Sequence, residues 1–505
     1  MRIEITDSKR QLALNRINIH RAEENHRKLL KAFVKLASDT NLLGQGYTAL
    51  RNRVTSFDQP LSKGFVSYAV SMSCLYGAQK NYINKYYLPS ETFRDSVEIQ
   101  SNLDELYSRL RTAEARLART RNDAAAIIQL IARLEALIAE LEDKLEKMRQ
   151  YEVVTCKMYD SANRLAETLK RGVRYSGSLT WQNGWQAQLG ANDQTWQNDL
   201  EENAKEAWWK VVGMAREFVY GDEDGLYGGN QDSPRSYFNT STKREDILAK
   251  ILEKYDAFSS LTDAQQLEFL RQVNQTGCSY TALANVVMEQ YYFRPEDFRK
   301  DFGFSLFRTE NDKQFLNIEP LIADIYCARV QHEIDNGNQT EIVYKGFFTG
   351  GDDFFTDYIA DKTEKQTATA SLTVFDSSVD YGAKLKDGSV IISAAPPSTY
   401  SRVGRNSTQD LRITVDTTTG TPEVSASGHA TVLTGTTTSN GQTTYTVSSW
   451  GNKYTVDNIG ANDYALVDTV TGRVDYFSGG VPAAAADQVV MDVRTRMTIV
   501  NWSTP

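Results

Sequence analysis

Gln272-Val-Asn-Gln-Thr-Gly-Cys278-Ser-Tyr-Thr-Ala-Leu-Ala-Asn-Val-Val287 reads as a polar turn ending in glycine, followed at once by an apolar, helix-forming run. The spacing puts Cys278 on the first turn of that helix. There the free N–H groups and the positive dipole end favour thiolate over thiol, and the thiolate is the nucleophilic form. A nucleophile of this kind needs a base. Of the four histidines in the chain, His429 has the fitting context, Ser427-Gly428-His429-Ala-Thr-Val-Leu-Thr-Gly435, which predicts a buried strand with His429 at its start. An Asn440-Gly441 hairpin turn follows, then a second strand and Ser448-Ser449-Trp450-Gly451.

These residues together resemble the papain-like cysteine peptidases: a Gln five residues clear of the Cys, Gly-His before an apolar strand, and Ser-Trp-Gly after the next one. The bacterial double-glycine peptidase branch is the nearest in pattern. Its cysteine motif reads Cys-Gly-Pro-Thr-Ala-Leu-Ala, and this chain has Cys278-Ser-Tyr-Thr-Ala-Leu-Ala284. The resemblance implies Cys278 as nucleophile, His429 as general base and Gln272 as oxyanion donor. Ser448 stands where papain relatives carry the Asn that orients the histidine, and a hydroxyl accepts from imidazole less well than an amide. Asp457 is the alternative third member. The rival reading of the same residues makes Cys278 and His429 packed core groups of a non-catalytic or membrane-active interaction toxin.

At 505 residues the chain is long enough for two or three domains. A net charge of −9 argues against a general nucleic-acid binder. No leader with charged, apolar and small-residue regions is recognisable at the start. The apolar run over 65–78 is too short and too polar to span a bilayer. The four cysteines, Cys74, Cys156, Cys278 and Cys327, show no CxxC spacing and no histidines beside them. That speaks against structural zinc and against a disulfide framework. The reading calls for no metal and no cofactor.

Over 6–37 the apolar residues Leu12, Ile19, Leu29, Leu30, Phe33 and Leu36 recur at helical spacing. Ser38-Asp-Thr-Asn41 breaks the pattern, Leu42-Leu-Gly-Gln-Gly-Tyr47 follows, and helix resumes to Tyr87 before Leu88-Pro89-Ser90-Glu91 stops it. No glycine or proline occurs between Pro89 and Gly172. Within that interval, apolar steps of three and four run from Leu103 to Met148, with Thr120 the one polar intruder. A single helix over 90–171 is predicted, its seam about 70 Å long and in need of a partner from residues 1–87 or from another chain. Five tryptophans between Trp181 and Trp209 predict packed helix ends, with contact to a partner as the alternative.

The Leu-x-Gly-x-Gly-Tyr run in its helical setting, with Pro60-Leu61 downstream and the long helix to come, resembles the LXG domain of secreted bacterial antagonism proteins. The resemblance implies type VII secretion without a cleavable signal peptide, with a toxin domain behind an elongated helical stalk. Expected partners are the type VII secretion machinery, small helical chaperone or targeting proteins on the N-terminal helices, and an immunity protein on the C-terminal domain.

The expected domains are an all-α unit over 1–215, a Gly- and Asp-rich linker with a lead-in helix over 216–262, and a papain-like hydrolase over 263–505. Helices carrying the cysteine come first and Thr-, Ser- and Val-rich strands carrying the histidine come later, which is an α+β order. Strands are predicted near 371–375, 389–393, 411–415, 431–435, 443–449, 464–468, 473–477 and 489–500. Gly350-Gly-Asp-Asp353 reads as a loop, and His332 as a helix-surface residue. The function expected from all this is a secreted antibacterial effector, a cysteine peptidase or amidase acting in or on a competitor cell.

Overall fold

The computed structural model describes residues 2–504 apart from 89, 120–122, 182–184, 188–194, 222–226, 231–232, 241, 311–312, 339–353, 364–365, 377, 396–410, 416–421, 427–428, 440–441, 450, 460–463, 469–473 and 479–493. The chain divides into two units, Met1–Val211 and Val212–Pro505, the first helical and the second built on an antiparallel sheet.

In the first unit, β1 (Arg2–Glu4) leads into α1 (Ile5–Ser38). α2 (Gln45–Arg53) passes through a π-turn at Val54–Asp58 into α3 (Gln59–Tyr86), which packs along α1. Gly44 begins α2 with φ +104°, a left-handed conformation that suits a residue without Cβ. β2 (Phe93–Asp95) pairs antiparallel with β1, and the Asp95 side chain caps α4 (Ser96–Leu117) at the Val97 N–H. α5 (Ala124–Thr155) and α6 (Asp160–Gly177) follow, then the two-stranded β3 (Leu179–Trp181) and β4 (Trp185–Ala187), and α7 (Trp196–Val219), within which the division falls.

The single helix expected over 90–171 is instead three helices, α4, α5 and α6. α4 ends at Leu117, and α5 returns along it, so the heptad seam buries itself. Ala113, Ile127 and Leu134 are buried there, with Leu106, Leu110, Leu117 and Ile131 around them. Tyr107 bonds to Glu142 across the hairpin. The physical reason is economy of contact. With α5 running back along α4, the apolar stripe has a partner from its own chain. The tryptophans expected to pack do so where their side chains are described: Trp196, Trp208 and Trp209 are buried, and Trp196 sits among Leu165, Leu169 and Leu200.

The second unit continues through α8 (Pro234–Phe238), α9 (Thr242–Leu252), α10 (Asp263–Thr276), α11 (Cys278–Tyr291) and α12 (Pro295–Phe302). A hairpin of β5 (Phe307–Glu310) and β6 (Lys313–Leu316) precedes α13 (Ile318–Asp335) and α14 (Phe354–Lys362). The remaining elements are β7 (Ala368–Val374), α15 (Tyr381–Lys384), β8 (Ser389–Ala395), the paired β9 (Leu411–Val415) and β10 (Pro422–Ala426), β11 (His429–Ser439), β12 (Gln442–Ser449), β13 (Asn452–Ile459), β14 (Tyr464–Asp468), β15 (Val474–Ser478) and β16 (Arg494–Trp502). Eight strands form one antiparallel sheet in the order β15-β14-β13-β12-β11-β8-β16-β7. The β5–β6 hairpin, β10 and β13 were not expected, while the Asn440-Gly441 turn and the 350–353 loop lie outside the described residues.

Alternation divides the sheet into two working faces. Val390, Ile392, Leu433, Val447, Tyr454 and Met497 pack on one side with Phe375 and Tyr381. Ser389, Ile391, Ser393, Ala430, Val432 and Ser448 are buried at the opposite parity. Every residue of α11 is buried, because the helix packs on α13 and on strands β11 and β8. Tyr280 meets Tyr326 of α13 edge-on at 4.9 Å between ring centroids. The stretch read as a linker belongs to this unit where it is described: Tyr227 and Gly229 bond into the sheet and α11, and Leu248, Ile251 and Leu252 of α9 are buried.

Candidate functional site

Thr262 and Gln265 form a reciprocal capping box at the start of α10. α10 then runs through the Gln272–Thr276 stretch that the sequence suggested as a turn. It stops at Gly277, where an added Cβ would collide with the Val273 carbonyl oxygen. Glycine thus lets α10 and α11 abut with no intervening loop. Cys278 is the first residue of α11, at the positive end of its dipole. The residue is 6 % exposed.

Two contacts fix how α11 lies along the sheet. Ser389 of β8 donates to Glu289 Oε2 at 2.7 Å. One turn nearer the cysteine, Asn285 Oδ1 accepts from the Gly229 N–H at 2.8 Å. The Tyr227 carbonyl in that same segment accepts from the Ser448 hydroxyl, and Ser448 pairs through Val432 to Ile391. Four helical residues rise about 6 Å, and the two strand residues from Ser389 to Ile391 advance about 6.6 Å. The helix and β8 therefore run in opposite directions at matched levels. Carried on, the eleven residues from Glu289 to Cys278 rise about 16 Å, and the five from Ser389 to Ala394 advance about 16 Å. Ala394 is the register partner of His429. Cys278 and His429, 151 positions apart in the chain, thus begin two elements, α11 and β11, that pack on each other.

The other expected site residues are placed differently. Gln272 is half-buried on α10 and its amide donates to Glu268 Oε1 at 2.9 Å. Ser448 is 2 % exposed and of the α11-facing parity, three strand positions (about 10 Å) from the level of His429. The side chain of His429 lies outside the described residues. Asp457 follows Val456, which pairs with Tyr445 and through it with Thr436. The side chain of Asp457 lies outside the described residues.

Residues the motif reading passed over do most to hold α11. Glu289 is 1 % exposed. It accepts from Arg216 Nε at 2.9 Å, Tyr220 Oη at 2.7 Å and Ser389. Arg216 also donates to the Gly388 carbonyl at 2.8 Å. Burial pushes the Tyr220 hydroxyl well above its ordinary value, with the Glu289 charge adding to that. Gly228, at φ +82°, has no room for a Cβ against Ser448 and Asn285. A signal was present in the sequence: Cys278, Thr281, Asn285 and Glu289 form a polar stripe at helical spacing on an otherwise apolar helix.

Elsewhere, burial raises the Cys327 thiol well above its usual value, with the Asp324 charge adding to it. That thiol is held in its unreactive form. His332 is half-buried against Phe354. Among the described residues no group of three His, Cys, Asp or Glu could hold a metal, no helix is long and apolar enough to cross a membrane, and none of the four cysteines is in a disulfide. Compared with known proteins, the chain matches no protein-family model and no curated sequence.

Proposed function

We propose that the second unit is a papain-like cysteine hydrolase acting on an amide bond, with Cys278 as nucleophile and His429 as base. The observation that supports this is Cys278 at the first turn of α11, a helix that packs on β11, the strand that His429 begins. In this mechanism the Cys278 thiolate attacks the acyl carbon. The carbonyl oxygen becomes an oxyanion that accepts from the Cys278 N–H and the second amide hydrogen of Gln272. His429, protonated by the thiol, gives its proton to the leaving amine as the C–N bond breaks. Water, deprotonated by His429, then releases the acyl group. The mechanism requires the His429 ring on the α11 side, with the Ser448 hydroxyl oxygen as the acceptor that orients it.

The helical first unit, with Gly44 opening α2, supports an LXG-type role: export by type VII secretion with small helical partners, delivery to a competing bacterium, and an immunity protein in the producer. The test is growth of susceptible bacteria producing residues 212–505, wild type against Cys278→Ala, directed to cytoplasm and periplasm in turn. Toxicity lost with the alanine at equal protein levels is the expected result. Toxicity retained by Cys278→Ala sinks the hydrolase.

One observation favours a second reading. Cys278 is almost fully buried, which would suit a non-catalytic interaction protein in which Cys278 and His429 pack. Iodoacetamide separates the two: the hydrolase predicts fast, selective alkylation of Cys278 in the folded full chain, and the packing role predicts none.

A further inference from the structure

In the second unit, a cavity of about 430 Å³ opens between α8, α9, the end of α12 and β5. Its size lies within the usual range for small-molecule sites, about 300–1,000 Å³. One wall is apolar, with Ile251, Phe302 and Phe304 buried behind it. The rest is cationic: Arg244, Lys250, Lys254 and Arg308 line the cavity against one carboxylate, Glu310.

The charges behind the lining do not cancel these cations. Arg308 Nε lies 2.8 Å from Glu310, which also binds Arg244, and Arg308 reaches Glu319 at 2.7 Å. Those two arginines and two glutamates balance. Lys254 shares Asp324 with Lys362, at 3.5 Å and 2.8 Å, so two ammonium groups face one carboxylate. Lys250 is exposed and has no ion-pair partner among the described residues. The lining thus keeps Lys250, and beside it Lys254, held by Asp324 and the Phe302 carbonyl, opposite an aromatic wall.

We propose that this cavity binds a small organic phosphate carrying an aromatic ring, of nucleoside-monophosphate size. The ring lies on the Phe302–Phe304 wall, and the phosphate faces Lys250 and Lys254. Lysine suits a phosphate as a mobile point charge. Neither the ring contact nor the charge contact involves Cys278, so the site stands whether or not the hydrolase does.

The test is calorimetric titration of the full chain with AMP, adenosine and inorganic phosphate separately, on wild type, Lys250→Glu and Ser305→Trp. Lys250 is exposed and Ser305 lies at the rim, so neither change should disturb the fold, and thermal melting checks that. Expected are saturable AMP binding, at least about tenfold weaker binding of adenosine and of phosphate alone, and about tenfold loss in each variant. No saturable AMP binding overturns the proposal. So does AMP affinity unchanged in both variants, or inorganic phosphate binding as tightly as AMP, which would mark a bare anion site.

Discussion

Arg216 and Glu289 show what a buried charge requires of its neighbours. The guanidinium is matched by one carboxylate and by carbonyls at Leu385 and Gly388, and the carboxylate by a tyrosine and a serine. Removing one side leaves the other uncompensated in a place water does not reach. Glu289→Gln should lower stability by about 3–5 kcal/mol. Adding Arg216→Met should restore part of it, giving a coupling in the double-mutant cycle that urea unfolding of the full chain reads directly. Asp324 makes the pH counterpart. Burial alone would raise its carboxyl, but the ammonium groups of Lys362 and Lys254 more than reverse that and hold it below the ordinary range. Its folded value is thus lower than its unfolded value of about 3.9. The stabilisation is complete above about pH 4 and is lost as pH falls through the folded value. Asp324→Asn should therefore lower the urea midpoint at neutral pH and flatten its fall in acid. Of these residues Cys278 and Gly277 could be singled out from the sequence, because a glycine before a helix-starting cysteine is a local signal. Arg216, Glu289 and Ser389 find one another across 73 and 100 positions; the polar stripe on α11 marks Glu289, but nothing local names its partners.

At the scale of elements, hydrophobic period was the reliable guide and direction was not. The three-and-four spacing from Leu103 to Met148 specifies a helical seam but says nothing about whether the chain continues or turns back. In the fold it turns, and the apolar stripe expected to need a partner becomes the inside of the α4–α5 hairpin. Leu134, 2 % exposed, sits at that interface. Leu134→Ala should destabilise the hairpin by about 2–5 kcal/mol. Hydrogen exchange should report faster opening across Ser96–Thr155 with protection of α11 unchanged; a loss of protection spread equally over both would refute this independence. Strands were read correctly where Val, Ile and Thr alternate. β13 was missed because Asn452, Lys453, Asp457 and Asn458 interrupt the alternation, and its pairing comes from β12 and β14 on either side.

At the scale of the molecule, the sheet of the second unit depends on its last strand. β16 lies between β8 and β7, bonded to both, and contributes Met497 and Val500, each fully buried. Without it β8 and β7 have no contact through the sheet. A chain ending before Arg494 should keep the helical circular dichroism of the first unit while the second loses protection throughout. Retained protection in β11 and β12 would show that the sheet closes without β16. The α+β order was legible from sequence because helix and strand composition separate cleanly along the chain. The order of strands was not, since pairing β16 beside β8 joins segments about a hundred residues apart, a choice made by packing rather than by local preference.

That strand order also sets a clock. On a ribosome adding about 5–20 residues per second, β8 emerges several seconds before β16. Through that interval α11 has formed with no completed sheet to lie on. The thiol at its first turn is thus made well before the sheet that α11 packs on is complete.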